Sequence, residues 1–251
     1  MSSQLNMPGG QLASRPLHFF WVCDVSSSMR ARGKIEQLNY AIREALPFMK
    51  NVANQNPNAQ VFLRTLIFGS GARWVHPSMV PIEAFTWTDL VAEGVTDMGT
   101  ALNMLAKELS VPPMPKRALP PVIILISDGH PTDEFDNGLR ALMGESWGMK
   151  AVRVAIAIGA DANHDVLRKF IGYDEREILN AGNPEQLLNY IRWASTEVLQ
   201  YASREYYAPK DRHIPVPGLS HEPAGDYSPA GPAMIPQPGQ APPNTYNDLV
   251  W

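Results

Sequence analysis

The chain of 251 residues has one cysteine, Cys23. No disulfide can close within it, which is the cysteine usage of a reducing compartment and leads us to expect a cytoplasmic protein. From Met1 to Pro16 no basic run precedes an apolar stretch, so no secretory leader is read there. Apolar runs of the roughly 18 residues that span a bilayer are missing too, which argues against a membrane partner. Positive charge is not in excess: 21 Lys and Arg face 25 Asp and Glu, for a net charge of -4. A long basic surface for nucleic-acid phosphates is therefore not expected. The sequence has no G-x-x-x-x-G-K-[ST] loop and no post-strand G-x-G-x-x-G, so nucleotide binding lacks support. It also lacks the G-x-S-x-G elbow that would present a serine nucleophile, and no internal repeat is found. What is there is a globular composition, 45% hydrophobic and 18% charged, at a length that suits one large domain with an appendage.

Proline divides the chain. Ten of the 23 prolines lie beyond residue 208, among Gly, Ser and Asn and without helical or alternating apolar periodicity. Such a stretch buries too little apolar surface to offset its ordering entropy, so residues 208–251 are expected to be a tail. Residues 1–16 read as a flexible arm, and 17–207 as the folded domain. Within the domain, Leu17 to Cys23 is a continuous apolar run that suits a strand buried on both faces. Ile35, Leu38, Ile42, Ala45, Leu46, Met49 and Val52 then recur at helical spacing. Further strands are expected at Val61 to Phe68, Ala72 to His76 (an edge), Pro121 to Ser127, Ala151 to Ile158 and Glu177 to Leu179. Helices are expected near Trp87 to Ala92, at Thr100 to Leu109, Asp133 to Met143, Asn163 to Phe170, and Pro184 to Tyr201 with Asn183 as N-cap. Strands alternating with helices predict an α/β fold, a doubly wound and mostly parallel sheet with helices on both faces.

In an open parallel sheet, ligands bind at the carboxyl ends of the strands, so the loops leaving strands carry the chemistry. The first is Asp24-Val25-Ser26-Ser27-Ser28-Met29, with a carboxylate and two alternate hydroxyls. The central strand leaves through Ser127-Asp128-Gly129-His130-Pro131-Thr132-Asp133, and between them Gly94-Val95-Thr96-Asp97-Met98-Gly99 carries Thr96 just before a helix. Each piece alone is also what a helix N-cap or a turn looks like. Together, two carboxylates and three hydroxyls form an all-oxygen donor set, which suits a hard cation such as magnesium or manganese, whereas zinc prefers nitrogen or sulfur. His130 reads as a surface or hydrogen-bonding residue rather than a base. Cys23, in a buried strand, reads as inert.

The order D-x-S-x-S, G-x-T-x-x-G and S-D-G on a parallel α/β chain resembles the von Willebrand factor type A domain. Its metal-ion-dependent adhesion site, by this resemblance, has Asp24, Ser26, Ser28, Thr96 and Asp128 at the five ligand positions. The resemblance covers about residues 17–202. In Ser28-Met29, Ile35-Glu36, Leu38-Asn39, Thr96-x-x-Gly99-x-Ala101-Leu102 and Asp128 to Asp133, the sequence looks most like the TerY-type proteins of bacterial tellurium-resistance clusters. That likeness implies a non-enzymatic adaptor in a stress-response signalling system, working beside a protein kinase and a metal-dependent serine/threonine phosphatase. It implies a divalent ion, magnesium first and manganese or calcium as alternatives, that accepts a partner's Asp or Glu. Ser27 departs from the pattern, standing where glycine is common.

Two other readings are weighed. A phosphohydrolase would use Asp24 as nucleophile, but it wants a second acid two residues on, where the chain has Ser26. Alternatively the metal is structural and the tail does the binding. The tail carries Tyr246-Asn247-Asp248-Leu249-Val250-Trp251, and Asp248, Leu249 and Trp251 are expected to dock on a partner or on a second copy, with polyproline stretches lowering the ordering cost.

Overall fold

The computed structural model describes residues 14–160, 162–172 and 178–203. Apolar side chains follow one another without interruption along β1 (Arg15–Asp24), a strand buried from Leu17 onward. Alternate residues of such a strand must serve two opposite cores. Leu17, Phe19, Trp21 and Cys23 point to one, and Phe20 and Val22 to the other. β1 lies at the middle of the sheet, whose order is β3-β2-β1-β5-β6-β7 with β4 also paired to β2. β2 (Ala59–Gly69), β5 (Val122–Ser127), β6 (Val152–Ile158) and β7 (Leu179–Ala181) extend it in parallel, while β3 (Gly71–Trp74) and β4 (Val80–Pro81) run antiparallel to β2. The mostly parallel, doubly wound α/β architecture expected from the sequence is thus present.

The first core is closed by α1 (Lys34–Asn54), through Leu38, Ile42, Ala45 and Met49, and by α6 (Pro184–Trp193), through Leu187 and Ile191. The second is closed by α2 (Met98–Leu109), α3 (Phe135–Gly144), the short α4 (Ser146–Lys150) and α5 (His164–Ile171). Each fully buried Leu, Ile or Phe in these layers contributes about 1.5–3 kcal/mol of transfer free energy. Helices α2 and α3 cross glycine to glycine: a Cβ on Gly138 would come within 2.3 Å of the Gly99 carbonyl oxygen. Trp193 packs with Leu187 and Ile191 as expected, and Asn183 caps α6 by accepting from the Gln186 amide at 2.9 Å.

Several boundaries differ from the periodicity. β1 begins at Arg15, two residues before the expected strand start at Leu17. No helix forms near Trp87 to Ala92. There Asn39 of α1 binds the segment instead, its Oδ1 accepting from Trp87 Nε1 (3.1 Å) and the Leu90 amide (2.8 Å), while its Nδ2 donates to the Leu90 carbonyl. A side chain that takes both backbone groups of Leu90 removes them from any helical ladder. The last described strand is Leu179–Ala181, two residues beyond the expected end at Leu179, because Ile156 to Ile158 of β6 pair with those three residues; Glu177, the expected start, lies outside the described residues. The final helix is interrupted by a π-turn at Ala194–Val198, where Ser195 and Thr196 donate their hydroxyls to carbonyls four residues back, before α7 (Leu199–Ala202). The tail, with Asp248, Leu249 and Trp251, lies outside the described residues. No helix among the described residues is long and apolar enough to cross a membrane.

Candidate metal centre

From β1 the chain passes through α1 to β2 on one side, and later returns as β5 on the other. The crevice between the carboxyl ends of β1 and β5 is therefore the switch point of the sheet. Asp24 ends β1 there, and Asp128 directly follows β5. Both are buried, at 0% and 2% exposure.

Asp24 Oδ1 accepts from the Ser26 amide at 2.8 Å and Oδ2 from Ser127 Oγ at 2.6 Å. Burial pushes its carboxyl up to about 6, against the pull of these hydrogen bonds. A buried carboxylate with only neutral donors around it is one that a cation would stabilise. Ser26 Oγ lies 2.9 Å from Ser28 Oγ, which in turn donates to Asp128 Oδ1 at 2.8 Å. A hydrogen-bonded chain thus runs from the first loop to the Asp128 loop. Lys34 Nζ sits 2.8 Å from the other oxygen, Asp128 Oδ2.

Thr96 enters from the third loop and is 6% exposed. Its amide donates to Thr132 Oγ1 at 3.0 Å, its carbonyl accepts from the Thr132 amide at 2.9 Å, and its own hydroxyl takes no part in these bonds. Gly129 explains how the three loops meet. A Cβ there would lie 3.0 Å from Asp24 Oδ2, 3.1 Å from Thr96 Cγ2 and 3.4 Å from Thr96 Oγ1. The missing side chain lets an Asp24 oxygen and the Thr96 hydroxyl approach a common point beside Asp128. All five expected residues, Asp24, Ser26, Ser28, Thr96 and Asp128, are brought to this crevice. No group of three or more His, Cys, Asp or Glu is present among the described residues, so hydroxyls are needed to complete any coordination shell here. The donor set is oxygen, matching a hard divalent cation.

Other residues hold this arrangement without having stood out in the sequence. Ser27, at the position where the resembled pattern commonly has glycine, donates its Oγ to the Gly94 carbonyl at 2.8 Å, and its amide donates to the same oxygen at 3.0 Å. Asp97 accepts from Thr132 Oγ1 (3.0 Å) and the Gly71 amide (2.6 Å). Asp133 caps α2 rather than its own helix, accepting from the Gly99 and Thr100 amides, both at 2.7 Å. None of these is separable from an ordinary loop residue by spacing. Lys34 did leave a signal: a lysine opening a helix opposes the macrodipole. His130 is exposed, and its Nδ1 accepts from Asn163 Nδ2 at 2.9 Å. The Cys23 thiol is raised far above its usual range, by burial first and the Asp24 charge second, so it stays protonated.

No family model and no curated protein matches the chain. Solved structures do. A von Willebrand factor type A protein from Catenulispora acidiphila superposes with a TM-score of 0.56 at 17% identity, covering 73% of this chain and 42% of its own. The ArnB paralog VWA2 from Sulfolobus acidocaldarius gives 0.53 at 16%, covering 71% and 44%. Proximal thread matrix protein 1 from the mussel byssus, in a structure with a zinc-occupied MIDAS motif, gives 0.53 at 14%, covering 72% and 48%. The chain thus spans less than half the length of each of these proteins. With the sheet order, the two helical layers and the switch-point crevice in place, the fold of the described residues is that of a von Willebrand factor type A domain.

Proposed function

We propose that this chain is a metal-dependent protein-interaction module whose divalent ion is held by Asp24, Ser26, Ser28, Thr96 and Asp128. The observation that carries the reading is the convergence of two buried carboxylates and three hydroxyls at the switch point, with Gly129 leaving room between Asp24 and Thr96. The zinc-occupied motif of the mussel protein supports a divalent ion in this fold. The oxygen-only donors favour magnesium, with manganese or calcium as substitutes. When bound, the ion supplies an electrophilic position for a carboxylate from a partner protein. The chain's part is to fix the geometry. Ser127 and the Ser26 amide orient Asp24, Ser28 orients Asp128, and Thr132 anchors the Thr96 loop.

Binding rather than catalysis is the proposed outcome. A bacterial tellurite or stress-response adaptor beside a kinase and a phosphatase, in the cytoplasm, is the finer form of this proposal, and it stands on the motif likeness. Calorimetric titration of Mg²⁺ and Mn²⁺ into wild type and Asp24→Ala tests the metal assignment. Saturable binding by wild type alone is expected, with unchanged circular dichroism, and equal binding by both rejects it. Capture of host proteins on the immobilised chain, with Mg²⁺ and then with chelator, tests the interaction.

A further inference from the structure

Lys34 opens α1, where the positive end of the helix dipole disfavours a cation. It is nevertheless 3% exposed, with Nζ 2.8 Å from Asp128 Oδ2 and an Asp128 side chain that is fully buried. Two successive left-handed residues, Arg32 (φ 54°) and Gly33 (φ 68°), turn the chain into this position. Ser28, on the same segment, donates to the other oxygen of Asp128. The segment leaving β1 therefore grips Asp128 twice, once with a neutral hydroxyl and once with a full positive charge. Asp24 is gripped by neutral donors, the Ser26 amide and Ser127 Oγ.

We propose that Lys34 is the internal counter-cation of the site, a positioning residue that weakens binding of the divalent ion on its own and strengthens binding of a carboxylate to the loaded site. This rests on the metal reading above. Among the described residues, the carboxylates of Asp24 and Asp128 and the ammonium of Lys34 together carry a single net negative charge. A divalent ion turns that into a single net positive charge, which an incoming carboxylate neutralises. With Lys34 made neutral, the loaded site carries no net charge, so the ion is held more tightly and the carboxylate is drawn less. In a buried setting these charge terms are large enough to dominate. Lys34 thereby couples the two events: metal without partner is held loosely, and metal with partner is held firmly. A lysine that only props Asp128 in place behaves differently, since its loss weakens both steps.

The test is calorimetric titration of Mn²⁺ into the full chain as wild type, Lys34→Gln and Lys34→Met, each with and without excess acetate as carboxylate probe. Lys34→Gln keeps a hydrogen-bond donor beside Asp128 and drops only the charge, so it serves if Lys34→Met does not fold. We expect both variants to bind Mn²⁺ about tenfold or more tightly than wild type, and acetate to raise Mn²⁺ affinity less in them than in wild type. Folded variants that bind Mn²⁺ no more tightly than a wild type that does bind overturn the role of Lys34 and leave the metal site standing. Failure of wild type and both variants to bind Mn²⁺ removes the metal reading and this inference together.

Discussion

The two ends of β1 each bury a titratable side chain, and they treat it in opposite ways. At the carboxyl end, Asp24 receives a hydrogen bond on each oxygen and faces a second carboxylate and Thr96 across the gap left by Gly129. At the amino end, His18 is 8% exposed, lies edge-on to the rings of Phe20 and Phe62, and its Nδ1 meets no hydrogen-bond partner among the described residues. Burial lowers His18 to about 4, so it packs as a neutral aromatic ring. The difference separates a polar group held by oriented donors, which the proposed function assigns to a metal ion, from one that fills space. Burial alone does not mark a site; convergence of oriented donors does.

Breaking the rim from its paired side should have the largest effect. Asp128→Ala breaks the buried Lys34–Asp128 ion pair, and removing one partner of such a pair costs about 3–5 kcal/mol. Urea unfolding of the metal-free protein should show that loss for Asp128→Ala and less than about 1 kcal/mol for Asp24→Asn, which leaves no stranded charge. Similar losses for both variants would erase the distinction between the two carboxylates.

The opposite end is tested by pH. The folded His18 value of about 4 lies below the ordinary 6.5. Between these values the unfolded chain takes up a proton that the folded chain does not, so stability falls as pH drops from 6.5 toward 4 and is retained above 6.5. This group alone accounts for roughly 3 kcal/mol across the window. Unfolding measured at pH 7 and pH 4.5 in an Asp24→Asn background, with and without His18→Leu, isolates it. The slope should flatten when His18 is replaced, and an unchanged slope would mean that the imidazole reaches water.

Metal affinity sharpens the rim side further. We expect Asp24→Ala to lose at least about 100-fold in Mg²⁺ affinity, because half of the site's formal negative charge goes with it. Thr96→Ala, which removes a neutral ligand, should lose about tenfold, in the range seen when a supporting contact of a metal site is removed. Calorimetry on both variants, with circular dichroism to confirm the fold, orders these effects. The smallest change is expected at Ser27→Gly, where an exposed loop residue loses its hydroxyl bond to the Gly94 carbonyl and keeps the amide one, worth about 0.5–1.5 kcal/mol of stability and read as a lowered Tm with Mg²⁺ affinity little changed.

Much of this fold was legible in the sequence because strand and helix periods differ and the apolar residues keep to them. The uninterrupted run of β1 and the three-and-four spacing of Leu38, Ile42, Ala45 and Met49 left little freedom in reading the elements or the parallel sheet. That the five proposed ligands meet was legible for a related reason: strand ends in a parallel sheet share one rim, so polar residues there can be gathered from distant loops. The segment near Trp87 was misread because its backbone partners come from Asn39, far away in sequence. Asp133 was read as part of α3, yet it caps α2.

The sequence by itself determined the alternation of elements, the burial of β1 and the chemical class of the rim, since these depend on local periodicity and side-chain type. Only the tertiary structure decided which groups hold which. That Ser127 orients Asp24, that Ser27 ties its loop to Gly94, and that Lys34 sets its charge against Asp128 across 94 positions follow from chain crossings at the switch point. Long-range hydrogen bonds and ion pairs leave no period in the sequence, because their geometry exists only once the sheet has brought the loops together.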